Sequence, residues 1–247
     1  MSADVHIGTS GWYYPDWIGR FYPDGLPMKQ LLPHYARHFS TVELNASFYR
    51  LPFVNTVKGW HEKAPKGFLY AVKGNRRITH LKKLADVDEE LKTFFQRISG
   101  LGEHLGPVLW QLPPSLHRDD ALLDHFLGGL PREFHHAVEF RHVSWFHSEV
   151  FQTLSRHRAA LVSISSQRMP MELSVTTDFA YLRFHGLQGG CAHDYTREEL
   201  APWADHIRKC LAADRRVFAY FNNDAGARAV RNAQDLLQLV AEPTRRK

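Results

Sequence analysis

Short β-like runs alternate with helical periodicity along this whole chain, and few folds accommodate that pattern. The runs lie at 5–10, 41–47, 68–73, 108–112, 136–141, 161–165, 179–185 and 217–222. Between them, residues 28–39, 54–63, 87–104, 120–127, 148–157, 197–213 and 227–240 carry apolar side chains at helical spacing. Thr196-Arg-Glu-Glu199 reads as a capping box, which satisfies free amides at a helix N-terminus. Strands separated by helices pair in parallel through right-handed crossovers. Eight such units in 247 residues match an α/β (β/α)8 TIM barrel. An open doubly wound sheet is the rival, and the absence of a Gly-rich phosphate loop weighs against it. Segment 166–178 contains Pro170 and no helical period, so an irregular crossover is expected after the sixth strand. No linker composition interrupts the chain, and a single domain, 1–247, is expected.

Net charge narrows the partners. Lys and Arg number 31 against 26 acidic residues, and three of the positives are Arg245, Arg246 and Lys247 at the tail. The body is too nearly neutral to signal wide duplex or membrane-surface contact. Cys191 and Cys210 are the only cysteines, too few for a disulfide framework or a zinc cluster. Met1–His6 lacks the basic and apolar regions of a signal peptide, and no apolar run approaches the ~20 residues of a membrane span. A cytoplasmic protein without membrane association is expected.

Parity within the strands locates a candidate site. Side chains two apart share a face. Glu43, Asn45 and Ser47 alternate with Val42, Leu44 and Ala46; Ala137, Glu139 and Arg141 with Val138 and Phe140; Tyr181, Arg183 and His185 with Leu182 and Phe184. Lys73 lies opposite Tyr70 and Val72, Gln111 opposite Trp110 and Leu112, and Asn222 follows Phe218 and Tyr220. Barrel interiors normally hold Val, Ile and Leu. Strand ends that point polar and charged groups inward therefore predict a wet pocket at the C-terminal mouth, where TIM-barrel active sites lie. The inward set has two carboxylates, Glu43 and Glu139, against three cations, Lys73, Arg141 and Arg183. Arg50 and Arg77 follow just beyond strand ends, and this excess of positive charge favours an anionic ligand. The competing reading is a buried ion-pair network that merely fills the barrel.

The motifs also carry a resemblance. Gly8-Thr-Ser-Gly-Trp-Tyr-Tyr-Pro-Asp-Trp17 with Phe21-Tyr22-Pro23, Val42-Glu-Leu-Asn-Ala-Ser-Phe-Tyr-Arg50, Lys73 with Arg77-Ile-Thr-His80, and Gln111-Leu-Pro-Pro114 follow one another in order. Glu139-Phe-Arg-His-Val-Ser-Trp145, Tyr181-Leu-Arg-Phe-His-Gly186 and Tyr220-Phe-Asn-Asn-Asp224 complete the set. Over roughly residues 7–240 the chain resembles the DUF72 (YecE-like) proteins. The resemblance implies a TIM barrel and no settled activity. A nucleic-acid role follows only from the fold's likeness to barrel endonucleases and sugar isomerases. One departure is at the sixth strand end, where the family often carries an Asp and this chain reads Ser163-Ile-Ser-Ser-Gln167.

Roles follow from chemistry. Glu43 and Glu139, on strands two and five, face each other across the mouth and are expected to split into acid and base. His185 is the candidate proton shuttle. Arg50, Lys73, Arg77, Arg141 and Arg183 are expected to hold charge, with Asn45, Gln111, Asn222 and Asn223 as neutral partners. Trp12 and Tyr49 are candidates for stacking on a ligand, and the loop ending at Tyr195 for a lid. Glu43, Glu139, His185 and Asp224 could ligate a divalent ion, but the neighbouring cations oppose it and no paired His or Cys spacing occurs, so no metal or cofactor is expected. The leading expectation is an acid/base enzyme, hydrolase- or isomerase-like, acting on an anionic small molecule or nucleotide. The alternatives are a non-catalytic nucleic-acid-binding protein and a metabolite-binding or scaffold protein. Nothing in the sequence sets the oligomeric state.

Overall fold

The structure is a computed structural model and describes residues 4–242. The tail cations Arg245, Arg246 and Lys247 and the first three residues lie outside the described residues. Eight parallel strands form one sheet: β1 (Val5–Thr9), β2 (Thr41–Leu44), β3 (Leu69–Lys73), β4 (Leu105–Gln111), β5 (His136–Glu139), β6 (Ala159–Ser165), β7 (Phe179–Phe184) and β8 (Arg216–Phe221). The sheet runs from β2 through β3 to β8 and ends on β1. A bridge between Ser10 and Glu43 and a Gly11 N–H donated to the Glu43 carbonyl bring β1 against β2 and nearly close the barrel. The helices are α1 (Met28–Tyr35), α2 (Ala46–Tyr49), α3 (Val54–Lys63), α4 (Asp88–Ile98), α5 (Asp120–Gly128), α6 (Ser148–Arg156), α7 (Arg197–Ala212) and α8 (Arg228–Ala241). The expected capping box at Thr196 and Glu199 starts α7. No helix of the described residues is long and apolar enough to cross a membrane.

Strand parity divides the core as expected. Outward residues such as Val42, Leu44, Trp110, Val138, Phe140, Leu182 and Phe184 join the layer packed under the helices. Inward residues Ala71, Leu109, Ala137, Val162, Ile164, Phe179 and Phe218 plug the interior. Nothing helical spans 166–178; Thr176 instead ties this irregular crossover to β6, donating to the Ala159 carbonyl at 2.6 Å and accepting from Leu161 N–H at 2.9 Å.

The β1–β2 seam is the weak joint of the barrel, and a phenol bridges it. Tyr35 accepts from Thr9 N–H at 2.9 Å and donates to the Thr41 carbonyl at 3.1 Å. Gly8 permits the approach, because a Cβ there would lie 2.3 Å from the Thr41 oxygen. Tyr35→Phe removes the bridge while keeping the ring. It is expected to cost about 1–3 kcal/mol, the usual penalty for orphaning buried backbone groups, read from urea unfolding.

Among the boundaries that differ from the periodicity, three are instructive. The second run stops at Leu44 because Asn45 turns helical, and α2 follows, so Ser47 leaves the inner face and donates to the Lys73 carbonyl at 2.6 Å. Helix α1 ends at Tyr35, four residues before the pattern does. The span 87–104 breaks after Ile98 into a tighter turn containing Gly102 at φ +55°.

Candidate active site

Arg183 sits at the centre of the C-terminal end of the barrel. It comes from the inner face of β7 and is 1% exposed, with Glu43 and Glu139 fully buried on either side. It grips Glu43 with two nitrogens, Nη2 at 2.6 Å and Nε at 2.9 Å, and reaches Glu139 with Nη1 at 2.6 Å. Glu43 also accepts from Tyr181 at 2.8 Å and from Ser10. Glu139 also accepts from Arg141 Nε. A charge this deep persists only when paired and hydrogen-bonded, and both carboxylates are.

The two carboxyls therefore do not divide into acid and base. Burial pushes Glu43 up, but the charge and hydrogen bonds of Arg183, with Ser10, outweigh it and hold the group below its ordinary value. Burial likewise opposes ionisation of Glu139, and Arg141 and Arg183 hold it well below the carboxylate range. Both are ionised at neutral pH. The sequence expectation failed here because strand parity shows that two carboxylates face inward but not that one guanidinium joins them.

His185 lies above this network. Burial, reinforced by Arg183, lowers it to about 4, so the ring is neutral at pH 7. Its Nε2 lies 2.7 Å from Arg141 Nη2 and 3.2 Å from Arg183 Nη1. Guanidiniums only donate, so Nε2 is the accepting nitrogen and the proton sits on Nδ1. The nearer atom of the Asn222 carboxamide, Nδ2, lies 3.3 Å from Nδ1; with the amide turned over, its oxygen would accept that proton. Glu139 Oε1 stands 3.4 Å from Nε2, placed to compensate a proton arriving there.

A cavity of about 410 Å³ opens beside His185. Gln111, Arg141, Ser166, Gln167, Arg168 and His185 line it, and no carboxylate does among the described residues. The Ser166 hydroxyl is buried without a partner. Sequence reasoning missed Arg168 and Ser166, which sit in the aperiodic crossover, and Ser10, which the inner parity of the first run, shared with His6 and Gly8, would have found.

The remaining candidates separate. Lys73 ends β3 at the mouth, half-buried, with its ammonium 4.3 Å above the Phe48 ring. Asn45 stays at the mouth and donates to Ser10 Oγ at 2.6 Å, its own Oδ1 buried and unpartnered. Tyr49, 70% exposed, Arg50 and Arg77 line a different cavity of about 460 Å³, with Arg76, Glu89 and Glu90. There Arg77 pairs with Glu90 at 2.8 Å because the π-helical turn Arg77–Leu81 aims it at α4. Trp12 packs edge-on against Trp60, ring centres 6.0 Å apart. Tyr195 and Asn223 leave the mouth altogether. Tyr195 is buried, donating to Ser165 Oγ at 2.8 Å and accepting from Gly186 N–H at 3.0 Å. It anchors the loop expected to be a lid, and that loop folds tightly on itself: a Cβ on Gly186, at φ +83°, would lie 1.9 Å from the Gly190 oxygen. Asn223 is fully buried and donates to the His193 carbonyl and to Asn232. Glu43, Glu139 and Asp224 do not gather with His185 as a ligand set. The grouping with close ligand atoms among the described residues is His61, Glu103 and His104, at the other end of the barrel.

Comparison with known proteins follows the same lines. The family model "Protein of unknown function DUF72" matches residues 6–247. The chain is 29% identical over 273 residues to the UPF0759 protein YunF of Bacillus subtilis (strain 168), covering 96% of this chain and 94% of that protein. It is 35% identical over 154 residues to the UPF0759 protein YecE of Escherichia coli (strain K12), covering 62% of this chain and only 54% of that relative. The crystal structure of a DUF72 family protein from Thermotoga maritima superposes with a TM-score of 0.88 at 29% identity, covering 97% of this chain and all of that one. A family match over nearly the whole length, on the same barrel, places this chain in the DUF72 family.

Proposed function

We propose that this protein is an acid/base enzyme acting on a small molecule that carries a phosphate or carboxylate. The observation that carries the reading is the cavity beside His185, lined by two guanidiniums, an unpartnered hydroxyl and a neutral imidazole, with no carboxylate among the described residues. Arg141 and Arg168 bind the anionic group through charge-assisted hydrogen bonds. Once Arg141 turns from Nε2 to the anion and frees that lone pair, His185 takes the proton on Nε2, and Glu139 stabilises the imidazolium that forms. Arg183 and Glu43 hold this apparatus rigid beneath the ligand.

The test is titration with inorganic phosphate, followed by ³¹P NMR. Arg141→Gln and Arg168→Gln are each expected to weaken binding about tenfold or more, since a charge-assisted hydrogen bond contributes about 1.5–3 kcal/mol. Unchanged affinity in both variants would remove the cavity as the anion site.

A second reading is a longer anion, a nucleotide or nucleic-acid segment. The exposed Tyr49 beside Arg50 and Arg76 favours it, while Glu89 and Glu90 in the same cavity oppose it. It requires that affinity for a short oligonucleotide fall steeply with salt. A flat salt response rejects it.

A further inference from the structure

Among the described residues Lys73 is the amine at the mouth that the network leaves without a carboxylate. Glu43 and Glu139 are saturated by Arg183, Arg141, Tyr181 and Ser10, and no carboxylate oxygen lies within ion-pair distance of Lys73 among the described residues. Its ammonium rests on the face of Phe48 instead, 4.3 Å from the ring centre. The residue ends β3, at the barrel face where substrates enter. We propose that Lys73 is an amine nucleophile that captures the carbonyl group of an anionic substrate as an imine. The proposal rests on the anion-binding reading of the same mouth and names its substrate class, an aldehyde or ketone bearing phosphate or carboxylate.

The chemistry closes without an external oxidant or reductant. The amine lone pair forms the N–C bond while the carbonyl π pair moves to oxygen, and one N–H proton ends on that oxygen. The carbinolamine then loses the oxygen as water with the second N–H proton, and the imine takes up a proton from solvent. From the free amine the net change is loss of one water and gain of one proton.

Such a lysine must be partly unprotonated near neutral pH. Burial lowers Lys73 to about 8, aided by Arg183 and Arg141 and opposed by Glu139 and Glu43. Phe48 and His80, itself neutral at pH 7 because burial lowers it, face Lys73 from α2 and the turn after β3. At pH 7.5 the free-amine fraction is then on the order of a hundredfold above that of an ordinary lysine.

The test is borohydride trapping on the full chain with dihydroxyacetone phosphate, glyoxylate and neutral dihydroxyacetone, read by peptide mass mapping. The expected result is one reduced adduct, on Lys73, forming at least about tenfold faster than on exposed Lys58 or Lys66 and rising with pH to a midpoint near 8. The anionic carbonyls are expected to react faster than the neutral one, and Arg141→Gln to erase that preference. Lys73→Arg is expected to lose the adduct, and the wild-type map decides the matter if that variant does not fold. Adducts spread evenly over exposed lysines, or none on Lys73, overturn the proposal. Equal rates for neutral and anionic carbonyls on Lys73 would keep its amine chemistry and remove the anion pocket, which separates the two readings.

Discussion

Arg183→Met is expected to lower stability at pH 7 by about 3–5 kcal/mol, because it strands buried Glu43 without a cation and leaves buried Glu139 to Arg141 alone. For a domain of this size that is a fall of roughly 10 °C in the thermal midpoint, measurable by calorimetry. Methionine nearly fills the volume, so the loss reports charge rather than a cavity. The penalty should shrink in acid, where the stranded carboxyls protonate. Arg183→Lys should be intermediate at best, since an ammonium cannot hold Glu43 with two nitrogens and still reach Glu139. A midpoint unmoved in Arg183→Met would show that the guanidinium does not neutralise the interior. It would also withdraw the rigid floor on which the cavity's geometry depends.

The second large effect is a loss of stability between pH 6.5 and 4. His185 is held near 4 when folded, by burial and Arg183, while an unfolded histidine titrates near 6.5. In that window the unfolded chain binds a proton that the folded chain refuses. Stability is therefore full above about pH 6.5 and is lost as pH falls toward 4. At about 1.4 kcal/mol per unit, the loss is roughly 3 kcal/mol. His136, lowered to about 4 chiefly by burial, adds a limb of the same sign and similar size. Glu43 and Glu139 act further down: their folded values are depressed, so their contribution is present above the unfolded value near 4.3 and is lost as pH falls below it. Thermal midpoints of His185→Gln should fall less steeply than wild type between pH 6.5 and 4, the remaining slope coming from His136 and from the other histidines that burial lowers, among them His6, His80, His135 and His206. A slope equal to wild type would mean that His185 titrates normally. That outcome would end its role as a neutral base, and ¹⁵N shifts of the ring would show the same.

Much of this was legible in order. Strand alternation exposed the inner residues Glu43, Lys73, Gln111, Glu139, Arg183, His185 and Asn222, because the two-residue period is a local property of extended backbone. It failed where the backbone stopped being extended. Asn45 begins a helical turn, so Ser47 left the face its parity assigned. Arg77 sits on a π-helical turn and spends its charge on Glu90. Tyr195 and Asn223 carry the right chemistry but are claimed by buried partners from β6, α8 and the loop after β7. Arg168 and Ser166 carried no periodic signal at all.

The amino-acid sequence by itself determined the barrel, its strand count and the polar lining of its mouth, since hydrophobic periods of two and 3.6 residues are set by neighbours along the chain. Tertiary structure alone decided which charges cancel. Arg183 meets Glu43 across 140 positions and Glu139 across 44, and those contacts leave His185 neutral and Lys73 unpaired. Protonation and pairing depend on burial and on every charge within a few ångströms, and only the closed barrel brings those charges together.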